Sequence, residues 1–92
     1  MASTIDEITI NYKEDDILLV KELDKEILSR GAWTTIIFKY QQWERGKQSY
    51  SPIRFTIRRY RKMSGEYSPQ SKFNISSEKQ AKKIMDTLKS WI

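Results

Sequence analysis

The sequence predicts an α+β fold: a curved four-stranded antiparallel β-sheet followed by one C-terminal amphipathic α-helix. Three observations carry this. Residues 33–75 alternate apolar and polar side chains at the period of a strand. From Ser77 onward the period becomes that of a helix. Between the periodic segments fall three isolated glycines, Gly31, Gly46 and Gly65, where turns demand backbone angles other residues avoid.

The first thirty residues are the least decided. Ile8, Ile10 and Tyr12 alternate like a short extra strand inside an acidic segment, residues 1–14, set apart from a domain over residues 15–92. Ile17-Leu-Leu-Val20 reads as a buried strand and the first of the four. Val20, Leu23 and Ile27 also fit a helix closed by Gly31, so strand is preferred over residues 15–28 without being forced. Residues 33–43, Trp-Thr-Thr-Ile-Ile-Phe-Lys-Tyr-Gln-Gln-Trp, are rich in β-branched and aromatic side chains and form the second strand. A polar loop follows over residues 44–51. Residues 52–62 alternate apolar with basic side chains, with Pro52 at the strand entry, where a missing ladder donor does least harm. Met63-Ser-Gly-Glu66 makes a turn, and residues 67–75 are the last strand.

In the helix, Ala81, Ile84, Met85, Leu88, Trp91 and Ile92 fall on one stripe, opposite Lys79, Lys82, Lys83, Asp86 and Lys89. Ser77 followed by Gln80 has the form of a capping box. Ile84, Met85, Leu88 and Trp91 are the side chains expected to face the core or a second copy.

At 92 residues, 38% hydrophobic and 32% charged, the chain is one domain whose small core would gain from a partner subunit. It has no cysteine and therefore no disulfides. No apolar run approaches the roughly 18 residues of a membrane span, and the amino terminus lacks the basic-then-apolar order of a secretory signal. A cytoplasmic protein without membrane contact is the expectation. The absence of both histidine and cysteine removes the usual nucleophile–base pairs and zinc sites, and no glycine-rich phosphate loop is present. Glu14-Asp-Asp16 reads as a solvated turn rather than a cation site. No enzyme activity, metal or cofactor is expected.

The net charge of +5 is unevenly spread. Residues 1–28 hold eight acids against three lysines, net −5, whereas residues 29–92 hold fourteen Lys and Arg against four acids, net +10. A basic segment of this kind suits a polyanion. Sorted by strand parity, Ile36, Phe38 and Tyr40 are expected on one face with Ile53, Phe55, Ile57, Phe73 and Ile75, beneath the helix. Trp33, Lys39, Trp43, Arg54, Arg58, Tyr60, Lys62 and Lys72 are then expected together on the other. Cations that follow phosphates, interleaved with rings on which unstacked bases lie, are what single-stranded nucleic acid requires, each stacked base contributing about 1–3 kcal/mol. Arg58-Arg-Tyr-Arg-Lys62 is read as part of this wet face rather than as a nuclear-localisation patch.

Ile57-Arg-Arg-Tyr60, the Gly65-Glu66 turn, Pro69, then Lys72-Phe-Asn-Ile-Ser76 leading into Glu78-Lys-Gln80 and an amphipathic helix resembles the positive cofactor four family. These are transcriptional coactivators with a single-stranded-DNA-binding C-terminal domain, and they have bacterial relatives. The likeness covers residues 53–92 well and 15–45 loosely. It implies a four-stranded sheet and one helix, a homodimer formed through the helices, and DNA lying across the strands. It further implies transcription machinery as a partner and, in a bacterium, association with the nucleoid. Arg58 falls on the family's binding arginine and Lys72 on its basic strand. Trp43, Arg45, Lys47 and Tyr50 occupy the hairpin region where the family places aromatic and basic contacts. Two positions depart from the pattern: Arg61 replaces an aromatic, and the hairpin over residues 44–51 is longer than the family's tight turn.

Two other readings compete. A double-stranded-RNA-binding domain requires residues 15–29 to be helical, with Lys79-Gln-Ala-Lys-Lys83 meeting the duplex. It lacks that family's loop histidine and gives the tryptophans nothing to do. A protein-interaction module would dock an acidic partner, or the acidic N-terminal segment of another copy, on the basic face.

Overall fold

Long runs of β-branched and aromatic residues build a curled antiparallel sheet in the computed structural model, which describes residues 2–92, and a single helix follows it. The strands are β1 (Tyr12–Glu14), β2 (Ile17–Ser29), β3 (Trp33–Glu44), β4 (Ser49–Tyr50), β5 (Arg54–Met63) and β6 (Glu66–Ile75), followed by α1 (Glu78–Trp91). Their order in space is β1-β2-β3-β5-β6, with the two-residue β4 paired to the end of β3. The four long strands are those read from the sequence; β1 and β4 are additional and short.

Residues 17–29 are strand throughout, so the helix-first order needed by the duplex-RNA alternative does not occur. Pairing with β3 from Val20 to Ser29, and with β1 at Ile17, Leu18 and Val20, satisfies the backbone of β2, and that outweighs the partial helical spacing of Val20, Leu23 and Ile27. Tight turns set the hairpins. Asp15 and Asp16 (φ 52° and 64°) join β1 to β2, and Ser64 and Gly65 (φ 51° and 80°) join β5 to β6. Positive φ at both central residues gives the turn whose twist matches that of the strands. The three acids at Glu14–Asp16 therefore include a hairpin turn exposed to solvent.

Directly opposed residues of a sheet share a face. Ile36 faces Arg58, Phe38 faces Thr56 and Tyr40 faces Arg54, whereas Ile37 faces Ile57 and Lys39 faces Phe55. The expected grouping of Ile36, Phe38 and Tyr40 with Phe55 and Ile57 is thus corrected: the parity of β3 is reversed relative to β5. Ile36, Ile37 and Phe38 are consecutive apolar residues, so either parity looks amphipathic, and a shift of one residue exchanges the faces.

On the first face, Ile36, Phe38, Tyr40, Tyr60 and Tyr67 form the buried core with Ile8 and Ile10. The N-terminal segment spans this face from edge to edge, since Ala2 bridges Tyr67 on β6 while Tyr12 pairs with Val20 on β2. It is pinned on the way. The Lys25 ammonium donates to the carbonyls of Ile5, Asp6 and Ile8 at 3.4, 3.0 and 2.7 Å. A Glu22 carboxylate oxygen accepts from the Thr9 hydroxyl at 2.8 Å and the Ile10 N–H at 3.2 Å. Residues 1–14 are expected from the sequence to stand apart from the domain; those described contribute Ile8 and Ile10, two of the seven buried residues of this core.

The helix covers the second face, above Leu28, Ile37, Phe55, Ile57 and Ile75. Ser77 is its N-cap, its hydroxyl accepting from the Gln80 N–H at 3.1 Å. The Gln80 side chain reaches back to the Ser76 N–H at 3.0 Å rather than to that of Ser77, so the expected capping box is displaced by one residue. No residue of the helix is buried. A nearly apolar cavity of about 490 Å³ separates helix from sheet, and Met85, Leu88 and Trp91 are exposed, with only Ile84 of the four expected stripe residues half-buried.

Candidate nucleic-acid interface

The register divides the expected binding residues between the two faces. Trp33, Lys39, Trp43 and Tyr50 lie on the helix-bearing face, and Arg54, Arg58, Tyr60, Lys62 and Lys72 on the face crossed by the N-terminal segment. Arg45 and Lys47 lie in the loop between β3 and β4. A single surface collecting all of them does not exist.

Trp33 opens β3, directly opposite Arg61 and diagonal to Arg59. The two guanidinium carbons stand 5.4 and 4.6 Å from the centre of its ring, close enough for cation–π attraction. The indole is nevertheless 42% exposed. Among the described residues the only ion pairs are Arg45–Glu14 at 4.0 Å and Lys47–Glu44 at 3.4 Å. Neither Arg59 nor Arg61 therefore has a carboxylate partner, and both are solvent-exposed. Arg30, also exposed, lies in the adjoining turn between β2 and β3. A ring accessible to solvent, flanked by unneutralised guanidinium groups, can stack a base and hold the phosphates beside it.

Trp43 and Tyr50 form a second aromatic group on the same face. Their rings meet edge to face at 5.1 Å and 74°, the Lys21 ammonium lies 5.2 Å over Tyr50, and the Tyr50 hydroxyl donates to the Leu18 carbonyl at 2.9 Å. These contacts tie the short β4 back to β2, and both rings are half-buried by them. Trp43 stands ten residues along β3 from Trp33, about 33 Å at the rise of a strand, and the helix lies over the strand between them. The two aromatic groups are separate sites.

The opposite face is closed to a passing strand. Tyr60, expected as a stacking ring, is buried beneath the N-terminal segment. Burial raises its phenol pKa above the ordinary value, opposed by the positive charge of Arg58 beside it. Arg54 donates to the Gln42 side chain at 3.3 Å, and Lys62 lies 5.6 Å over the Tyr67 ring. Arg58 is half-buried, with its Nε enclosed and without a hydrogen-bond partner, while Lys72 faces it from β6 and is exposed.

Arg59 and Arg61 are the site residues that sequence parity missed. The run Arg58-Arg-Tyr-Arg61 carried the signal, but only the β3–β5 register shows which of these arginines stand beside Trp33. No helix among the described residues is long and apolar enough to cross a membrane. No family model matches the chain, and neither a curated protein nor a solved structure matches it.

Proposed function

We propose that the protein binds single-stranded DNA largely without sequence preference, with Trp33 as the base platform and Arg59, Arg61 and Arg30 meeting phosphates. The observation that carries this is the exposed Trp33 indole held between two guanidinium groups that have no acidic partner. Burying such a cluster in the protein's own fold would have required counter-ions. Left open and unneutralised, it suits a ligand with both negative charge and flat apolar faces. The likeness of residues 53–92 to the positive cofactor four family supports DNA as the strand and an accessory role in transcription.

The same reading pairs two copies of the chain through their helices. The helix offers an exposed apolar stripe, Met85, Leu88 and Trp91, alongside an apolar groove between itself and the sheet. Stripe and groove on one element are what a two-fold interface needs, because each copy gives the other what it receives. Such a dimer leaves Arg59 and Arg61 outside the groove.

Tryptophan fluorescence during titration with unstructured oligo-dT, beside a duplex of equal length at the same salt, tests the binding. Strong quenching by the single strand alone is expected, and Trp33→Phe should remove most of it. Three phosphate contacts give a slope of log K against log salt near −2.1, at about −0.7 for each contact. Equal quenching by the duplex, or quenching that survives Trp33→Phe, would sink the proposal.

A further inference from the structure

The face crossed by the N-terminal segment contains a cavity of about 560 Å³. Ala2, Glu7, Ile8 and Thr9 of the segment wall one side of it, and Arg58, Tyr60, Tyr67 and Pro69 of β5 and β6 the other. Three features distinguish it from a packing defect. The first is an unmet donor: the Arg58 Nε–H is enclosed and has no partner, an arrangement that costs stability unless something accepts from it. The second is uncompensated charge. Arg58 and Lys72 face each other across the β5–β6 ladder as like charges, and neither forms an ion pair.

The third feature concerns two carboxylates, Glu7 in the cavity wall and Glu22 on β2, which hydrogen-bond to the segment. One oxygen of Glu7 accepts from the Ser3 hydroxyl at 2.9 Å and from the Thr4 hydroxyl and N–H at 2.9 and 3.1 Å. Those bonds hold its carboxyl below the usual pKa range. Glu22 is taken by Thr9 and Ile10. The hydrogen bonds of these two acids thus hold the segment in place, and neither acid forms an ion pair with Arg58.

We infer that this cavity binds a phosphate monoester carried on a nucleoside, with the Arg58 guanidinium in its wall as the first cation and Lys72, opposite Arg58 on β6, as the second. A monoester dianion matches two adjacent cations better than a phosphodiester does. The volume exceeds what bare phosphate fills and falls in the range of small-molecule sites, and the rings of Tyr60 and Tyr67 give it flat walls. Geometry excludes the middle of a strand. Residues 2–10 run across the face from β6 to β2 with Ile8 and Ile10 in the core, so an unbroken chain would have to thread beneath them. A free mononucleotide or the phosphorylated end of a strand enters without that. The second source rests on the single-strand proposal above; the first does not.

The experiment has two arms, both on the full chain. Thermal unfolding is followed with thymidine monophosphate, inorganic phosphate and thymidine at equal millimolar concentrations. The monophosphate should raise Tm, phosphate should raise it less, and thymidine should leave it unchanged. Arg58→Met should abolish the response and raise Tm in ligand-free buffer, because it removes an enclosed cation lacking a counter-ion. In the second arm, oligo-dT with a 5′-phosphate, a 3′-phosphate or hydroxyl ends is bound at fixed salt. One phosphorylated end should bind about tenfold tighter than hydroxyl ends, the scale of one hydrogen bond to a charged group. Lys72→Ala, at an exposed edge position that the fold does not need, should reduce that preference about threefold. Stabilisation by the mononucleotide with no oligonucleotide binding at all would defeat the single-strand proposal and leave this site standing. Oligonucleotide binding indifferent to its ends, with no mononucleotide response, would overturn the site and leave the single-strand proposal intact.

Discussion

The two faces of the sheet are made by the same strands, yet they are finished in opposite ways. On one, residues 2–10 close over Ile36, Phe38, Tyr40, Tyr60 and Tyr67, and both ends of the segment are fastened to strands. On the other, a whole amphipathic helix rests above Ile37, Phe55, Ile57 and Ile75 without burying a single one of its own residues. Nine residues with three isoleucines thus accomplish what fourteen residues with five apolar side chains do not. Hydrophobic stabilisation follows area removed from water, not the length or regularity of an element. The pinned segment removes Ile8 and Ile10 almost entirely from water, whereas Trp91 remains 79% exposed. The first face therefore carries the stability of the isolated chain, and the second is where a partner can add to it.

Neighbouring residues of β3 provide the sharpest test, because Phe38 points to the closed face and Ile37 to the open one. Phe38→Ala should cost about 3–5 kcal/mol, as for a fully buried ring whose cavity cannot collapse. Ile37→Ala, beside a groove that is already open, should cost roughly 1 kcal/mol, less than a typical core deletion. Urea unfolding of both variants at low micromolar protein measures the contrast. Equal losses would mean that the helix is packed as tightly as the N-terminal segment, and the comparison would collapse.

Raising the concentration should narrow that contrast if two copies pair through their helices. Unfolding coupled to dissociation lowers apparent stability by about 1.4 kcal/mol per dimer for each tenfold dilution. Met85→Glu, which places a charge in the exposed apolar stripe, should abolish this dependence and sediment as a monomer. A wild-type chain whose stability is unchanged across a hundredfold dilution would instead show that the open face stays open.

Much of this architecture was legible in the sequence, and the parts that were not share a cause. Period alone identifies the helix, three of the four long strands and the Ser64–Gly65 turn, because each depends on residues close in the chain, whereas the spacing within β2 also fits a helix. The pairing of faces does not follow from period. Ile36, Ile37 and Phe38 satisfy either parity, and only the ladder to β5 decides between them. That one decision moves Tyr60 and Arg58 beneath the N-terminal segment and leaves Arg59 and Arg61 beside Trp33. Ile8 and Ile10 escaped notice as core residues for a related reason. They belong to no strand, and their burial comes entirely from crossing the sheet rather than from local pattern.

The smallest effect separates the two faces on a different scale, that of local opening. The Ser77 hydroxyl caps the helix through the Gln80 N–H, and the Gln80 side chain in turn holds the Ser76 N–H. Ser77→Ala removes the first of these bonds and should destabilise the helix start by about 1 kcal/mol. In an element locked into a core, that loss would appear in global unfolding. Here the helix buries none of its residues, so it can fray without disturbing the sheet. Hydrogen exchange should show amides of the first helical turns losing about fivefold in protection, the equivalent of that free energy, while those of β3 keep theirs. Matching losses in the helix and in β3 would mean that the two open together, and that the helix belongs to the same cooperative unit as the closed face.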